Sequence, residues 1–372
     1  MLGNLTLTLC LTHQCNLRCR YCYAGRKYDV AMPSSTLERA IDIALAEVQT
    51  GAKMLDISFF GGEPLLEVDL LQHGWHYASL QAAKLGIKIR FSLTTNGILL
   101  SDEIIQWLAE RDFLVGLSVD GSPEMHDINR RFEDGRGSHE YTSAALSQII
   151  QRRGLRHKII CVVNPANHHL LCEGAQWLVE HGAGIIGFNF DYWSKWNDLQ
   201  FASLAEQLKQ LAGIVTQSYR SGSPIRIECF ENKIRTALVR KEAPCNVCRM
   251  GEREIAVSVD GNFFPCSRLV GVGDRPEFNF GNVRDGINRA KQNMIIATRG
   301  NATPECRVCA LKHRCLNTCG CTNYATSGAI NRVSPFLCQL EQLLIQLSDE
   351  IAETLYLEQN ESFFNLFYKT RQ

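Results

Sequence analysis

No run of about 18 apolar residues occurs in this 372-residue chain, so no membrane-spanning helix is expected. Neither sign of charge is in excess. Lysine plus arginine and aspartate plus glutamate both number 39, which gives no reason to expect nucleic acid or an anionic membrane surface as a partner. The N-terminus, "MLGNLTLTLC", lacks a basic n-region and a small-residue cleavage site. It reads as a first strand, not a signal peptide, and a cytoplasmic location is expected. There is no internal repeat and no low-complexity tract. What remains is a globular composition, 45% hydrophobic and 21% charged, long enough for a full core plus an extra module.

Cysteine, by contrast, is abundant. Sixteen are present, and in a reducing compartment that number favours metal ligation over disulfides. They are unevenly spread. Four fall within the first 22 residues, two (Cys161 and Cys172) in the next 200, and ten between Cys229 and Cys338. The distribution proposes two separate metal-holding regions.

Strand-like runs recur at 5–12, 54–60, 89–95, 113–119, 157–163 and 185–193. Helical patterns lie between them. One opens at Ser34 and Ser35 as cap candidates and another at Ser101. Alternation of this kind predicts parallel β/α units. A closed eight-fold barrel needs about 250 residues, and here the alternation stops after six units. The expected fold is therefore α/β, a partial (β/α)6 TIM-type barrel over residues 1–220. A small cysteine-rich domain is expected over 221–345, with "EIAVSVDGNFFPCS" as a β-hairpin turning at Asp260-Gly261. A helical tail is expected over 346–372. Chemistry in such folds sits at the C-terminal ends of the strands. The unusual stretches fall there: "THQCNLRCRYCYAG", "GGEP", "TTNG" and "SVDG".

The first of these stretches spaces Cys15, Cys19 and Cys22 as C-x3-C-x2-C. Thiolates in a short loop select zinc or iron–sulfur. Structural zinc wants four closed ligands. A triplet with no fourth cysteine in the loop suits a cubane cluster with one open iron. Beside it, Gly61 and Gly62 allow close backbone approach at a strand end, and Glu63 offers a carboxylate.

The set resembles the radical S-adenosylmethionine (SAM) superfamily, whose motif C-x3-C-x-aromatic-C is matched by Cys15, Cys19, Tyr21 and Cys22. The resemblance covers about residues 1–215. It implies a [4Fe-4S] cluster whose open iron takes the amino and carboxylate groups of SAM, and reductive cleavage of SAM to a 5′-deoxyadenosyl radical. By position it implies Gly61, Gly62 and Glu63 at the SAM amino end. Thr95, Asn96, Ser118 and Asp120 would lie near the ribose and substrate side, with Asp120 as the catalytic candidate. Asp120 also reads as an ordinary turn residue before Gly121. Arg130 is a candidate for the SAM carboxylate or a helix-surface arginine, and Val163 for an adenine contact.

The later cysteines resemble the SPASM domain of peptide- and protein-modifying members of that superfamily. Cys248-x12-Gly261-x4-Cys266 is followed by Cys306-x2-Cys309-x5-Cys315-x3-Cys319 and Cys338. The resemblance implies two auxiliary iron–sulfur clusters. Cys306, Cys309, Cys315 and Cys338 would hold the outer one; Cys248, Cys266 and Cys319 the inner one. Cys245 is the first choice for the fourth inner ligand, with Cys229, Cys321 or an open iron as alternatives. One zinc ion closed by the C-x2-C-x5-C-x3-C run is the competing reading. Sulfatase-maturating members carry an aspartate directly after the hairpin cysteine, where this chain has Ser267, which weakens the case for formylglycine formation. The expected activity is crosslinking or oxidation of a ribosomally made peptide or protein side chain. A small-molecule oxidase or epimerase, or an iron–sulfur electron-transfer protein, are the alternatives. The expected partners are the peptide or protein substrate and an external electron donor of flavodoxin or ferredoxin type. With the first strand at the very start, a leader-peptide binder is expected to be a separate protein or to be dispensable.

Overall fold

The structure is a computed structural model and describes residues 3–25, 27–238, 248–270 and 275–369. Its contacts fall into two compact units, each assembled from non-contiguous stretches.

The first unit contains residues 1–118, 130–157 and 249–301. Its chain order begins β1 (Leu5–Cys10), α1 (Ser34–Gly51), β2 (Met54–Phe60), α2 (Val68–Leu85), β3 (Lys88–Thr95), α3 (Asp102–Glu110) and β4 (Leu114–Ser118). The strands pair in parallel in that order, with Leu5 opposite Leu55 and Leu55 opposite Ile89. Alternate residues of β2 (Leu55, Ile57, Phe59) are buried, the period-2 signal of a sheet face. On α1, Leu37, Ile41, Ala44, Leu45 and Val48 are buried at helical spacing. Ser101 caps α3, its Oγ accepting from the Ile104 amide at 3.3 Å. The cap expected at the start of α1 is different. Pro33 is its N-cap, without a side-chain cap bond, and Ser34 and Ser35 are already helical. A proline there pre-sets an extended entry, leaving the serines inside the first turn.

The hairpin forms as expected. β8 (Glu254–Val257) pairs antiparallel with β9 (Phe263–Phe264), and Gly261 adopts φ +83° in its turn. Less expected is where it goes. β8 also pairs in parallel with β1, Leu7 opposite Ile255, so the strand order is β9-β8-β1-β2-β3-β4.

The second unit contains residues 119–129, 158–248 and 302–372. It opens on α4 (Pro123–Asp127). The helix α5 (His139–Gln151) belongs to the first unit, and β5 (Arg156–Val163) continues into the second. There α6 (Leu171–Glu180), β6 (Ile185–Phe190), α7 (Asp198–Arg220), β7 (Arg226–Ile227) and α8 (Glu228–Leu238) follow, with β5, β6 and β7 parallel. Asn197 and Gln200 form a full capping box at α7. Beyond the first unit's short β10 (Gly281–Asn282), β11 (Gly286–Ile287) and α9 (Arg289–Gly300) come α10 (Pro304–Val308), α11 (Gly320–Ser327), α12 (Pro335–Leu357) and α13 (Glu361–Phe367). Among the described residues no helix is long and apolar enough to cross a membrane.

Candidate active site

In the first unit the triplet loop leaves β1 and lies against the turn that leaves β2. Gly62 N donates to Thr12 O at 2.7 Å, and Glu63 N to Gln14 O at 2.9 Å. Any side chain at the two glycines would collide with that backbone. A Cβ on Gly61 would stand 2.5 Å from Thr12 O, and Gly61 also holds φ +135°. Backbone pairing at this distance needs glycine.

Glu63 is buried, and its carboxylate is spent on protein groups. Oε1 accepts from Thr95 Oγ1 at 2.7 Å and from Leu65 N at 3.1 Å; Oε2 accepts from Asn96 N at 2.8 Å. Burial raises its pKa to about 7, while the Asn96 amide, the Thr95 hydroxyl, the Leu65 amide and the Arg130 charge pull it down. The glutamate thus ties the end of β2 to the end of β3.

Asn96 carries the connection to the cysteines. Its Nδ2 donates to Asn16 Oδ1 at 2.7 Å and lies 3.9 Å from Cys15 Sγ. Leu17 N also points at that sulfur, at 3.4 Å. Burial pushes the Cys15 thiol up, with the Leu17 amide opposing. Lys27 Nζ lies 3.0 Å from Cys22 Sγ. On the other side, Arg18 N donates to Arg131 O at 2.7 Å, and its guanidinium reaches Cys15 O at 2.6 Å and Glu133 at 3.0 Å. Arg130 is buried, with its guanidinium 5.3 Å from the centre of the Tyr21 ring. Cys15, Cys19, Tyr21 and Cys22 are all half-buried, and Ser118 is buried at the end of β4. Arg18 and Lys27 were not foreseen. A basic residue in a loop carries no spacing signal, and only the fold shows which group it meets.

Two of the expected site residues, Asp120 and Val163, fall in the second unit. Asp120 is fully buried. Its Oδ1 accepts from Val162 N at 2.8 Å, and its own amide donates to His126 Nδ1 at 3.2 Å. Val163 is buried at the end of β5. Trp193 meets Tyr324 edge-on, and Trp196 stacks on Phe336 at 5.3 Å while its Nε1 donates to Asp191 O. Trp193 and Trp196 thus pack against aromatic partners.

The later cysteines lie in both units. Cys266 is buried just after β9 in the first. In the second, Cys248 N donates to Thr318 Oγ1 at 3.1 Å, next to Cys319, and Cys321 Sγ lies 3.6 Å from Cys319 Sγ. The Cys338 thiol is pushed up by burial and then by the Cys306 and Cys309 sulfurs beside it. Gln342 Nε2 approaches Cys338 Sγ at 3.4 Å. Burial and then the Glu341 carboxylate push Cys315 up to about 12. Cys229 on α8 is likewise pushed to about 12 by burial. Cys245 lies outside the described residues.

Among the described residues, no three His, Cys, Asp or Glu side chains form a single-ion site. The donor set of the triplet loop nonetheless fits an iron–sulfur cluster chemically. Three thiols share one loop, and N–H donors from Leu17, Asn96 and Lys27 surround two of the sulfurs, the outer contacts that tune such clusters.

Known proteins agree with this chemistry. Residues 9–168 match the family described as the radical SAM superfamily. A cysteine-type anaerobic sulfatase-maturating enzyme of Clostridium perfringens (strain 13 / Type A) is 24% identical over 332 residues, covering 82% of this chain and 85% of that protein. The solved structure of native anSMEcpe with bound AdoMet and Kp18Cys peptide superposes with a TM-score of 0.79 at 20% identity, covering 95% of this chain and 99% of that one. Streptococcus suis SuiB bound to its precursor peptide SuiA superposes with a TM-score of 0.63 at 17% identity, covering 91% and 76%. The fold is the α/β partial barrel of these proteins. The chain is an enzyme of the oxidoreductase type, with a stretch over residues 9–168 that matches the radical SAM superfamily.

Proposed function

We propose that this enzyme modifies a side chain of a ribosomally made peptide or protein by hydrogen-atom abstraction. The observation that carries the reading is the locking of the cysteine loop onto the Gly61-Gly62-Glu63 turn by two backbone hydrogen bonds. It is strengthened by a second cysteine array that an enzyme cleaving SAM alone has no use for. Peptides are named as bound in two of the similar structures, which supports a peptide substrate here.

In this reading Cys15, Cys19 and Cys22 hold a [4Fe-4S] cluster, and Tyr21, Gly61, Gly62, Glu63, Thr95, Asn96, Ser118, Arg130 and Val163 border SAM. The cluster with SAM supplies one-electron reductive cleavage to a 5′-deoxyadenosyl radical. Glu63 also shapes the turn, its carboxylate accepting from Leu65 N, Thr95 Oγ1 and Asn96 N. Asp120, engaged with the Val162 amide, shapes the substrate side in the same manner. Cys306, Cys309, Cys315 and Cys338 hold an outer auxiliary cluster. Cys248, Cys266 and Cys319 hold an inner one, with Cys245 as the fourth ligand and Cys229, Cys321 or an open iron as the alternatives. An external flavodoxin- or ferredoxin-type donor supplies the electron, and the reaction takes place in the cytoplasm.

Sulfatase maturation is the second reading, favoured by the sequence relatives and opposed by Ser267 in place of the aspartate. The two separate in one experiment. Anaerobically reconstituted enzyme is incubated with SAM, reductant and the peptide encoded beside its gene, or a sulfatase-derived peptide. 5′-Deoxyadenosine with a two-hydrogen mass loss in the neighbouring peptide is expected. Absence of 5′-deoxyadenosine would sink the enzyme reading, and formylglycine in the sulfatase peptide alone would establish the second.

A further inference from the structure

A buried ion pair brackets one cysteine of the later array. Lys233 on α8 and Glu341 on α12 are 5% and 1% exposed at the side chain, and Nζ lies 2.6 Å from Oε2. Burying two charges costs several kcal/mol per ion, and a pair of apolar residues often serves stability as well or better. Core stability alone therefore accounts poorly for the pair. Its remaining bonds show what else it does. Lys233 Nζ donates to Arg314 O at 2.8 Å, and Glu341 Oε2 accepts from Leu316 N. The two charges thus hold the peptide groups immediately before and after Cys315.

Neighbouring contacts extend the clamp. The Arg314 guanidinium donates to both oxygens of Asp349, at 2.7 and 2.6 Å, and to Lys233 O at 3.1 Å. One helix therefore carries Cys338, Glu341, Gln342 and Asp349. Positions three and four apart share a helix face, so α12 presents its own cysteine and the anchor of the Cys315 loop side by side. Glu341 Oε1, also buried, has no hydrogen-bond partner among the described residues.

We infer that the Lys233–Glu341 pair is a positioning device that fixes the Cys315 loop relative to Cys338, pre-forming the outer auxiliary cluster site. Metal ligands need such outer support to be held in place. The inference rests on the reading above that Cys306, Cys309, Cys315 and Cys338 share a cluster.

The test uses the full chain, reconstituted anaerobically with iron and sulfide. Iron per chain, the electron paramagnetic resonance spectrum of each cluster and SAM cleavage are compared for wild type, Lys233→Met, Glu341→Gln and the double variant Lys233→Met/Glu341→Met. The double variant removes both charges and should fold even where a single variant does not. The expected result is loss of about four irons, one cubane, with the outer-cluster signal lost or shifted and SAM cleavage kept. A lowered melting temperature with all clusters and spectra unchanged is the signature of a merely structural pair and overturns the inference. So does a folded double variant with full iron and a wild-type spectrum. A wild type that binds only about four irons in total refutes the auxiliary-cluster reading itself, and this inference with it.

Discussion

A Cβ placed on Gly62 would stand 1.9 Å from the carbonyl oxygen of Gln14. No side-chain rotation relieves that overlap, because both partners are backbone. Gly62→Ala must displace the loop that carries Cys15. Overpacking of this kind costs about 1–3 kcal/mol or more. The expected outcome is a folded chain that takes up less iron in the triplet site and shows little SAM cleavage. Iron content together with circular dichroism checks it.

The cysteines should divide by role. Cys15→Ala, Cys19→Ala and Cys22→Ala each abolish SAM cleavage. Cys306→Ala and Cys338→Ala spare it within a few-fold and stop peptide product. Chromatography for 5′-deoxyadenosine beside mass spectrometry of the peptide separates the two groups. Equal loss of cleavage in both would defeat the division.

Glu63 predicts a pH dependence of stability. Its folded pKa of about 7 lies above the ordinary value of 4.5, burial being the main cause. The folded protein therefore holds a proton that the unfolded chain releases between those values. The stability from this group is fully present below about pH 4.5 and is lost as pH rises towards and through 7. Glu63→Gln removes the slope. Between pH 4.5 and 7 the melting temperature of wild type should fall relative to that of Glu63→Gln; parallel curves would count against it.

Asp120 predicts a contrast between two substitutions. Its Oδ1 accepts from the buried Val162 amide, and an asparagine oxygen can do the same. Asp120→Asn should cost under about 1 kcal/mol, and Asp120→Ala about 1–3 kcal/mol for the unsatisfied amide. Denaturant unfolding measures both. Full stability of Asp120→Asn with complete loss of product would instead assign the carboxylate a chemical role.

Much of the fold was legible in sequence because strand and helix periods are local. The run 54–60 is β2 residue for residue, and Asp260-Gly261 turns the hairpin as its dipeptide requires. The joining of β8 to β1 was not legible. Leu7 and Ile255 are both ordinary apolar strand residues, and nothing in either period names its partner. The site divides in the same way. Cysteine spacing marks the candidate ligands because a cluster demands several sulfurs within one short loop. Glu63 reads from sequence as a carboxylate at a strand end, and only the fold brings it to Thr95 and Asn96 as a clamp.

By itself, then, the sequence determined the element types, the cysteine spacings and the resemblance to the radical SAM superfamily, all written in spacings of a few residues. The tertiary structure alone decided what those residues are held by. Gly62 meets Gln14, Lys27 meets Cys22, and Lys233 meets Glu341 across 108 positions. The physical reason is range. A backbone period or a ligand motif repeats within a loop or a helix turn, whereas a buried charge or a close backbone approach is settled by whichever distant segment the packing brings to it.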